Sequence, residues 1–284
     1  MHFNSEHEAR TWVQDNSGNY AKLVVEKNVA GKWSPARNAF VIMAWPRTGS
    51  SHLVHLLNSH GEILCNGEIF QSGIASLAVR WPKSDRKVSL MDELVRLRRE
   101  DPEAFLDRIL ARDYEREYVG FKIFPDHNDE VFVQLVADTS IRKIILLRRN
   151  ILAVFSSAMI ARLTGQRKSE AADTGWRPAI EFAPEQFISF SAAYTAFYSN
   201  IFAKLHETRQ PLYLHLYEDI NNPDQIDRLV RFIGATPAGP LTSMLRKQNS
   251  ADILSRFSNP DDVSRFLQAH DLDWSNERMS PDAI

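Results

Sequence analysis

Apolar residues along this chain follow two kinds of pattern. The first is a short, nearly unbroken run. Phe40-Val41-Ile42-Met43-Ala44-Trp45, ended by Pro46, is the clearest, and Ile144-Ile145-Leu146-Leu147 is the second. Runs of this length without polar alternation mark strands buried on both faces, as in a parallel sheet. Shorter runs predict further strands at 63–65, 118–124 and 212–217. The second pattern has helical spacing. Leu53, Leu56 and Leu57 share one face of a helix expected over 50–59. Helices are also expected over 89–99, over 130–137, after Asn150 to about Arg162, over 184–205 and over 223–233. Asp101-Pro102-Glu103 opens another: Asp caps, Pro suits the first turn, and acidic groups favour the helix dipole.

Strands alternating with helices predict an α/β fold with a central, mostly parallel sheet. The sequence contains no internal repeat, low-complexity tract or composition break. One domain is therefore expected over residues 1–284, with a core over 38–284 and an N-terminal extension, 1–37, packed on it.

Composition narrows the functional classes. Hydrophobic residues make up 44% and charged residues 25%, ordinary for a globular chain that buries a core. The net charge of -2 speaks against bulk nucleic-acid binding, while leaving room for a local basic pocket. Cys65 is the single cysteine, so no intrachain disulfide forms. The first residues, from Met1 to Arg10, are polar, and no apolar run approaches the roughly 20 residues of a transmembrane segment. A cytoplasmic protein is expected.

Two segments carry chemistry. Pro46-Arg47-Thr48-Gly49-Ser50-Ser51 lies between a buried strand and a helix. Gly49 permits a tight turn and close approach of the backbone to an anion. Free N–H groups at the helix start, backed by the positive dipole end, attract phosphate or sulfate. Thr48, Ser50 and Ser51 add hydroxyl donors, and Arg47 adds a fixed charge. The nucleotide P-loop Gly-x-x-x-x-Gly-Lys-Ser/Thr is absent: no Lys follows Gly49, and Trp45 stands near the place of its first Gly. The second segment places Arg148 and Arg149 at the carboxyl end of a buried strand, where open α/β sheets bind ligands. Ser157 follows about two helical turns later. Two anion sites at the ends of two central strands suit a ligand with two separated phosphates joined by a nucleoside.

Together these segments resemble the superfamily of sulfotransferases that use 3′-phosphoadenosine-5′-phosphosulfate (PAPS). Pro46 to Ser51 is similar to its 5′-phosphosulfate loop, and Arg149-Asn150 with Ser157 to its 3′-phosphate motif. Ile151 stands where many members carry Pro. Leu57 to Phe70, Ala161 to Gln166, and Tyr217-Glu218-Asp219-Ile220 resemble the bacterial carbohydrate branch, including the nodulation-factor type. Lys247-Gln248-Asn249-Ser250 resembles a late segment that approaches the nucleotide. The likeness spans about residues 40–270. It implies a P-loop-like three-layer fold and transfer of a sulfuryl group from PAPS to an acceptor hydroxyl, with 3′,5′-ADP as product. It implies that Arg47, Thr48, Gly49, Ser50 and Ser51, with His52 beside them, hold the 5′ end. Arg149 and Ser157, assisted by Arg148 and Lys247, would hold the 3′-phosphate. A carbohydrate or glycoconjugate acceptor is expected.

The acceptor hydroxyl needs a general base. Glu68 in Asn66-Gly67-Glu68-Ile69-Phe70 is the first candidate and His127 the second, with Lys122 as a donor near the bridging oxygen. No metal is expected, since neither a His-x-x-x-His pattern nor paired cysteines occur. Residues 165–184, with Trp176 and Arg177, are expected to cap the acceptor. Two other readings remain open: a nucleotide-dependent kinase, disfavoured by the missing lysine, and an inactive nucleotide-binding module of the same fold.

Overall fold

A computed structural model of the chain describes residues 38–71, 88–111, 115–165, 178–245 and 249–277. The expected extension 1–37, most of the expected cap with Trp176 and Arg177, and Lys247 lie outside the described residues. In chain order the elements are β1 (Asn38–Ala44), α1 (Ser50–Asn58), β2 (Ile63–Cys65), α2 (Val88–Glu100), α3 (Pro102–Ala111), β3 (Tyr118–Ile123), α4 (Asp129–Ala137), β4 (Arg142–Leu147), α5 (Ile151–Thr164), α6 (Pro184–Glu207), β5 (Leu212–Leu216), α7 (Pro223–Ile233) and α8 (Pro260–Ala269).

The five strands form one sheet in the order β2-β3-β1-β4-β5, and every pairing is parallel. β1 is central, which explains its unbroken apolar run: six of its seven residues are buried. Alternate residues of each strand serve different cores. Val41, Met43, Phe121, Ile123, Ile145 and Leu147 face α2 to α6 and α8. Phe40, Ile42, Ala44, Ile144 and Leu146 face α1 and α7. The result is three layers: helices, sheet, helices. Gly120 is required by this packing, since a Cβ there would sit 2.4 Å from the Phe40 ring.

Helix α8 has no counterpart in the sequence-based expectations. Its Pro260 start, its acidic first turn and the buried Val263 and Leu267 are ordinary helix signals. Among the described residues, no helix is long and apolar enough to cross a membrane.

Because the strands are parallel, the loops after β1, β3, β4 and β5 all emerge at one end of the sheet. A cavity of about 940 Å³ opens there, lined by residues from all four.

Candidate active site

The loop after β1 is shaped by its glycine. Gly49 is the residue before α1 and has φ 87°. A Cβ at this position would lie 2.6 Å from Tyr217 Cδ2 and 3.0 Å from Ile220 Cδ1, so side-chain space is also denied. Arg47 has φ 70°, a left-handed conformation that non-glycine residues rarely adopt. Backbone strain of this kind concentrates at functional loops. Thr48 Oγ1 donates to Trp45 O at 2.7 Å, and the Trp45 N–H donates to the Tyr198 hydroxyl at 3.0 Å. Tyr198 in turn donates to Leu146 O at 2.7 Å, tying the loop to β4. The Trp45 ring meets Phe190, Tyr194 and Phe197 of α6 edge-on.

The two anion motifs meet directly. Arg47 Nε donates to Ser157 Oγ at 3.0 Å across 110 residues of sequence. Asn249 Nδ2 donates to the same hydroxyl at 3.1 Å. Arg148 donates to Arg47 O at 3.0 Å and lies 4.0 Å over the Tyr217 ring. Burial, and the neighbouring Arg148 charge, push the Arg47 guanidinium below its usual pKa, with Glu68 partly opposing. The sequence predicts two anion sites at the ends of two central strands; Arg47 from the first segment and Arg148 and Ser157 from the second line one cavity.

Arg149 behaves differently from Arg148. Its backbone N–H donates to Glu218 Oε1 at 3.0 Å and its Nε lies 3.7 Å from Glu218 Oε2. Burial raises the Glu218 pKa and the Arg149 charge opposes that rise. Asn150 caps α5 by accepting from the Ala153 N–H at 2.9 Å, which fixes the turn carrying both arginines.

A second cluster sits beside the α1 N-terminus. Lys122 alternates onto the α1 side of β3 and is buried. Its ammonium donates to Ser51 Oγ at 2.9 Å and to Ser50 Oγ at 3.3 Å, and lies 2.9 Å from Glu68 Oε1. The other Glu68 oxygen is 3.7 Å from His127 Nε2. His127 Nδ1 accepts from the Phe124 N–H at 3.3 Å, so in this arrangement its proton sits on Nε2, facing Glu68. Burial lowers the His127 pKa, and Glu68 only partly offsets this. Glu68 and His127, rivals for the role of base in the sequence, are therefore neighbours, with Glu68 also touching Lys122.

His52 reaches Asn221 Oδ1 at 2.7 Å and lines the cavity edge. The carboxylates Glu218 and Glu277 were not anticipated as site residues. Buried arginines at a strand end demand acidic partners; Glu218, one residue into the turn after β5, was findable on that ground. Glu277 sits in a segment with no motif. Among the described residues, no group of three or more His, Cys, Asp or Glu is arranged to hold a metal ion.

The chain is 31% identical over 169 residues to Nodulation protein H of Rhizobium tropici, covering 59% of this chain and 64% of that protein. Over that region the chain is similar to a nodulation H protein. It is also 31% identical over 148 residues to Nodulation protein H of Rhizobium meliloti strain 1021, covering 51% and 56% of the two chains. It thus spans somewhat less than two thirds of the nodulation H proteins it matches. These relatives bear out the likeness to the nodulation branch of the superfamily. Among solved structures, a sulfotransferase from Alicyclobacillus acidocaldarius aligns over 84% of this chain and 97% of its own, with 19% identity and a TM-score of 0.42. No family model matches the chain.

Proposed function

We propose that this protein is a PAPS-dependent sulfotransferase acting on an alcohol, with a carbohydrate or glycoconjugate hydroxyl as acceptor. The observation that carries the reading is the meeting, in one cavity, of a glycine-turned helix N-terminus, a buried lysine from the next strand and a carboxylate. In this arrangement the ammonium of Lys122 reaches the loop from β3, at Ser50 and Ser51. The cation that nucleotide P-loops take from their own loop thus comes from a neighbouring strand.

The residues suit sulfuryl transfer as follows. Fixed cations and N–H groups stabilise charge that develops on the bridging oxygen as it leaves. Arg47, Lys122 and the α1 N-terminus are the groups available. Glu68 faces the same cavity and takes the proton of the acceptor hydroxyl. Lys122 at 2.9 Å holds that carboxylate in place beside the α1 N-terminus. His127, with its Nε2 proton toward Glu68, orients the carboxylate from the other side. Arg148 and Ser157, which line the cavity, serve the 3′-phosphate, with Arg149 beside them on Glu218. The support for PAPS rather than a nucleoside triphosphate is the pairing of two anion motifs without the P-loop lysine. The single cysteine, Cys65, is buried and suits a reducing compartment, the cytoplasm in this reading.

The test is a calorimetric titration with 3′,5′-ADP, using 5′-ADP as control. Tight binding that is lost with the 3′-phosphate is expected. Equal affinity for the two, or affinity that depends on Mg²⁺, would overturn the reading in favour of a kinase-like protein. Binding of 3′,5′-ADP without any transfer from PAPS would instead leave an inactive nucleotide-binding module.

A further inference from the structure

At the β4–β5 side of the cavity two arginines converge on one carboxylate. Arg148 Nη2 lies 2.7 Å from Glu277 Oε1. Arg256, in the 3₁₀ turn Leu254–Arg256, contacts the same oxygen. The Tyr217 hydroxyl is 3.5 Å from the other carboxylate oxygen. The three ionic side chains are only 6%, 4% and 3% exposed for Arg148, Glu277 and Arg256. Glu277, Arg148 and Tyr217 nevertheless all border the cavity.

The backbone delivers this carboxylate deliberately to the site. The Glu277 N–H donates to Ala251 O and the Ile253 N–H to Ser275 O, each at 2.9 Å. Asn150, from the turn that carries Arg148 and Arg149, donates to Trp274 O at 3.3 Å and to Asn276 O at 3.2 Å. The chain near its end is thus clipped to the anion motif itself.

The chemistry of the placement is unusual. The neighbouring groups, Arg47 and Arg148, suit an incoming oxyanion. Glu277 is an anion already bound to one of them. A carboxylate and a phosphate make the same demand on a guanidinium fork, and close like charges repel. Arg256 has independent anchors: it donates to Ser156 Oγ at 3.0 Å and to Ala153 O at 3.4 Å. It can therefore stay in place and keep Glu277 compensated when Arg148 turns away, so the exchange leaves no buried charge alone.

Resting on the reading of the cavity as a nucleotide site, we propose that Glu277 is an internal competitor of the donor. Its carboxylate holds Arg148 and yields it when a phosphate group takes that guanidinium. The affinity for nucleotide is then the intrinsic affinity reduced by the fraction of molecules in which Arg148 is released.

The experiment is stopped-flow and calorimetric binding of 3′,5′-ADP to the full chain, to Glu277→Gln and to Tyr217→Phe. Glutamine keeps the shape and removes the charge. It should bind about tenfold tighter, the worth of one charge-assisted bond, and associate faster. Tyr217→Phe keeps the ring under Arg148 and the net charge, but takes a donor from Glu277. Glu277 then depends more on Arg148, so a modest weakening is expected, and because no charge changes, it separates release of Arg148 from a general change in positive potential. It also decides the matter if Glu277→Gln does not fold. Equal or weaker binding by Glu277→Gln, or unchanged or tighter binding by Tyr217→Phe, would show Glu277 to be a brace and overturn the proposal. If the parent chain itself fails to bind 3′,5′-ADP, the nucleotide reading falls and this inference falls with it.

Discussion

Gly49→Ala tests the anion loop at its most constrained point. Two separate costs can be worked out. The first is conformational: at φ 87° an L-residue loses about 1–2 kcal/mol relative to glycine. The second is steric. The added Cβ would stand 2.6 Å and 2.9 Å from two Tyr217 ring carbons and 3.0 Å from Ile220 Cδ1. Relieving such contacts typically costs about 1–3 kcal/mol. The sum is about 2–5 kcal/mol, against a typical total stability of about 5–15 kcal/mol. The variant should fold but with a clearly lower urea midpoint. Tyr217 must also move, and its ring supports Arg148 at 4.0 Å, so 3′,5′-ADP affinity should fall as well. The double variant Gly49→Ala, Tyr217→Ala separates the costs. It should recover most of the steric part and none of the conformational part, as a double-mutant cycle reads directly. A single-variant loss under about 0.5 kcal/mol, within the range of ordinary surface substitutions, would refute the reasoning.

Glu68→Gln should lower kcat by about 10²–10⁴ while leaving 3′,5′-ADP binding within a few fold, as measured by steady-state transfer and calorimetry; a retained kcat would remove Glu68 as base. His127→Asn should lower kcat less, because the carboxylate remains. A third prediction concerns acid stability. Burial lowers the His215 pKa from 6.5 to about 4, and its Nε2 has no hydrogen-bond partner among the described residues. Between those values the unfolded chain binds the extra proton, so stability is fully present above about pH 6.5 and declines as pH falls toward 4. The difference of 2.5 units corresponds to about 3 kcal/mol. His215→Leu should remove that slope in urea titrations at pH 7 and pH 4.5; an unchanged slope would show that other groups carry it.

Much of the fold was legible because parallel strands are hydrophobic on both faces. β1 and β4 announce themselves as unbroken runs that no surface strand would show, and β5 sits close to its expected bounds. The strand order was not legible. It depends on β3 slipping between β1 and β2, and the local clue is one small residue. Gly120 leaves room for the Phe40 ring, which only a neighbouring strand brings over it. Helix α8 carried adequate signals but sits in a polar stretch, where Asn259-Pro260-Asp261-Asp262 reads as a turn as readily as a helix start.

The site was legible where backbone geometry dictates residue type and illegible where side chains merely meet. A turn that presents N–H groups to an anion needs glycine, and the hydroxyls around it follow, so residues 46–51 stand out in sequence. The pairing of Arg47 with Ser157, or of Arg148 with Glu277, leaves no local trace, because each partner is acceptable at many surface positions. The same logic explains why Glu68 and His127 were read as rivals. Sequence spacing ranks two bases separately, but only the sheet, by setting β2 beside β3, brings the segments after them together. Once adjacent, their roles divide by environment. Glu68 touches a buried ammonium at 2.9 Å beside the α1 N-terminus. His127 is held neutral by burial with its free proton directed at that carboxylate. An ionised carboxylate accepts a proton at neutral pH, whereas an imidazole whose Nδ1 is already committed to a backbone N–H has its remaining nitrogen protonated. In the proposed reading, proton acceptance falls to Glu68 and its orientation to His127.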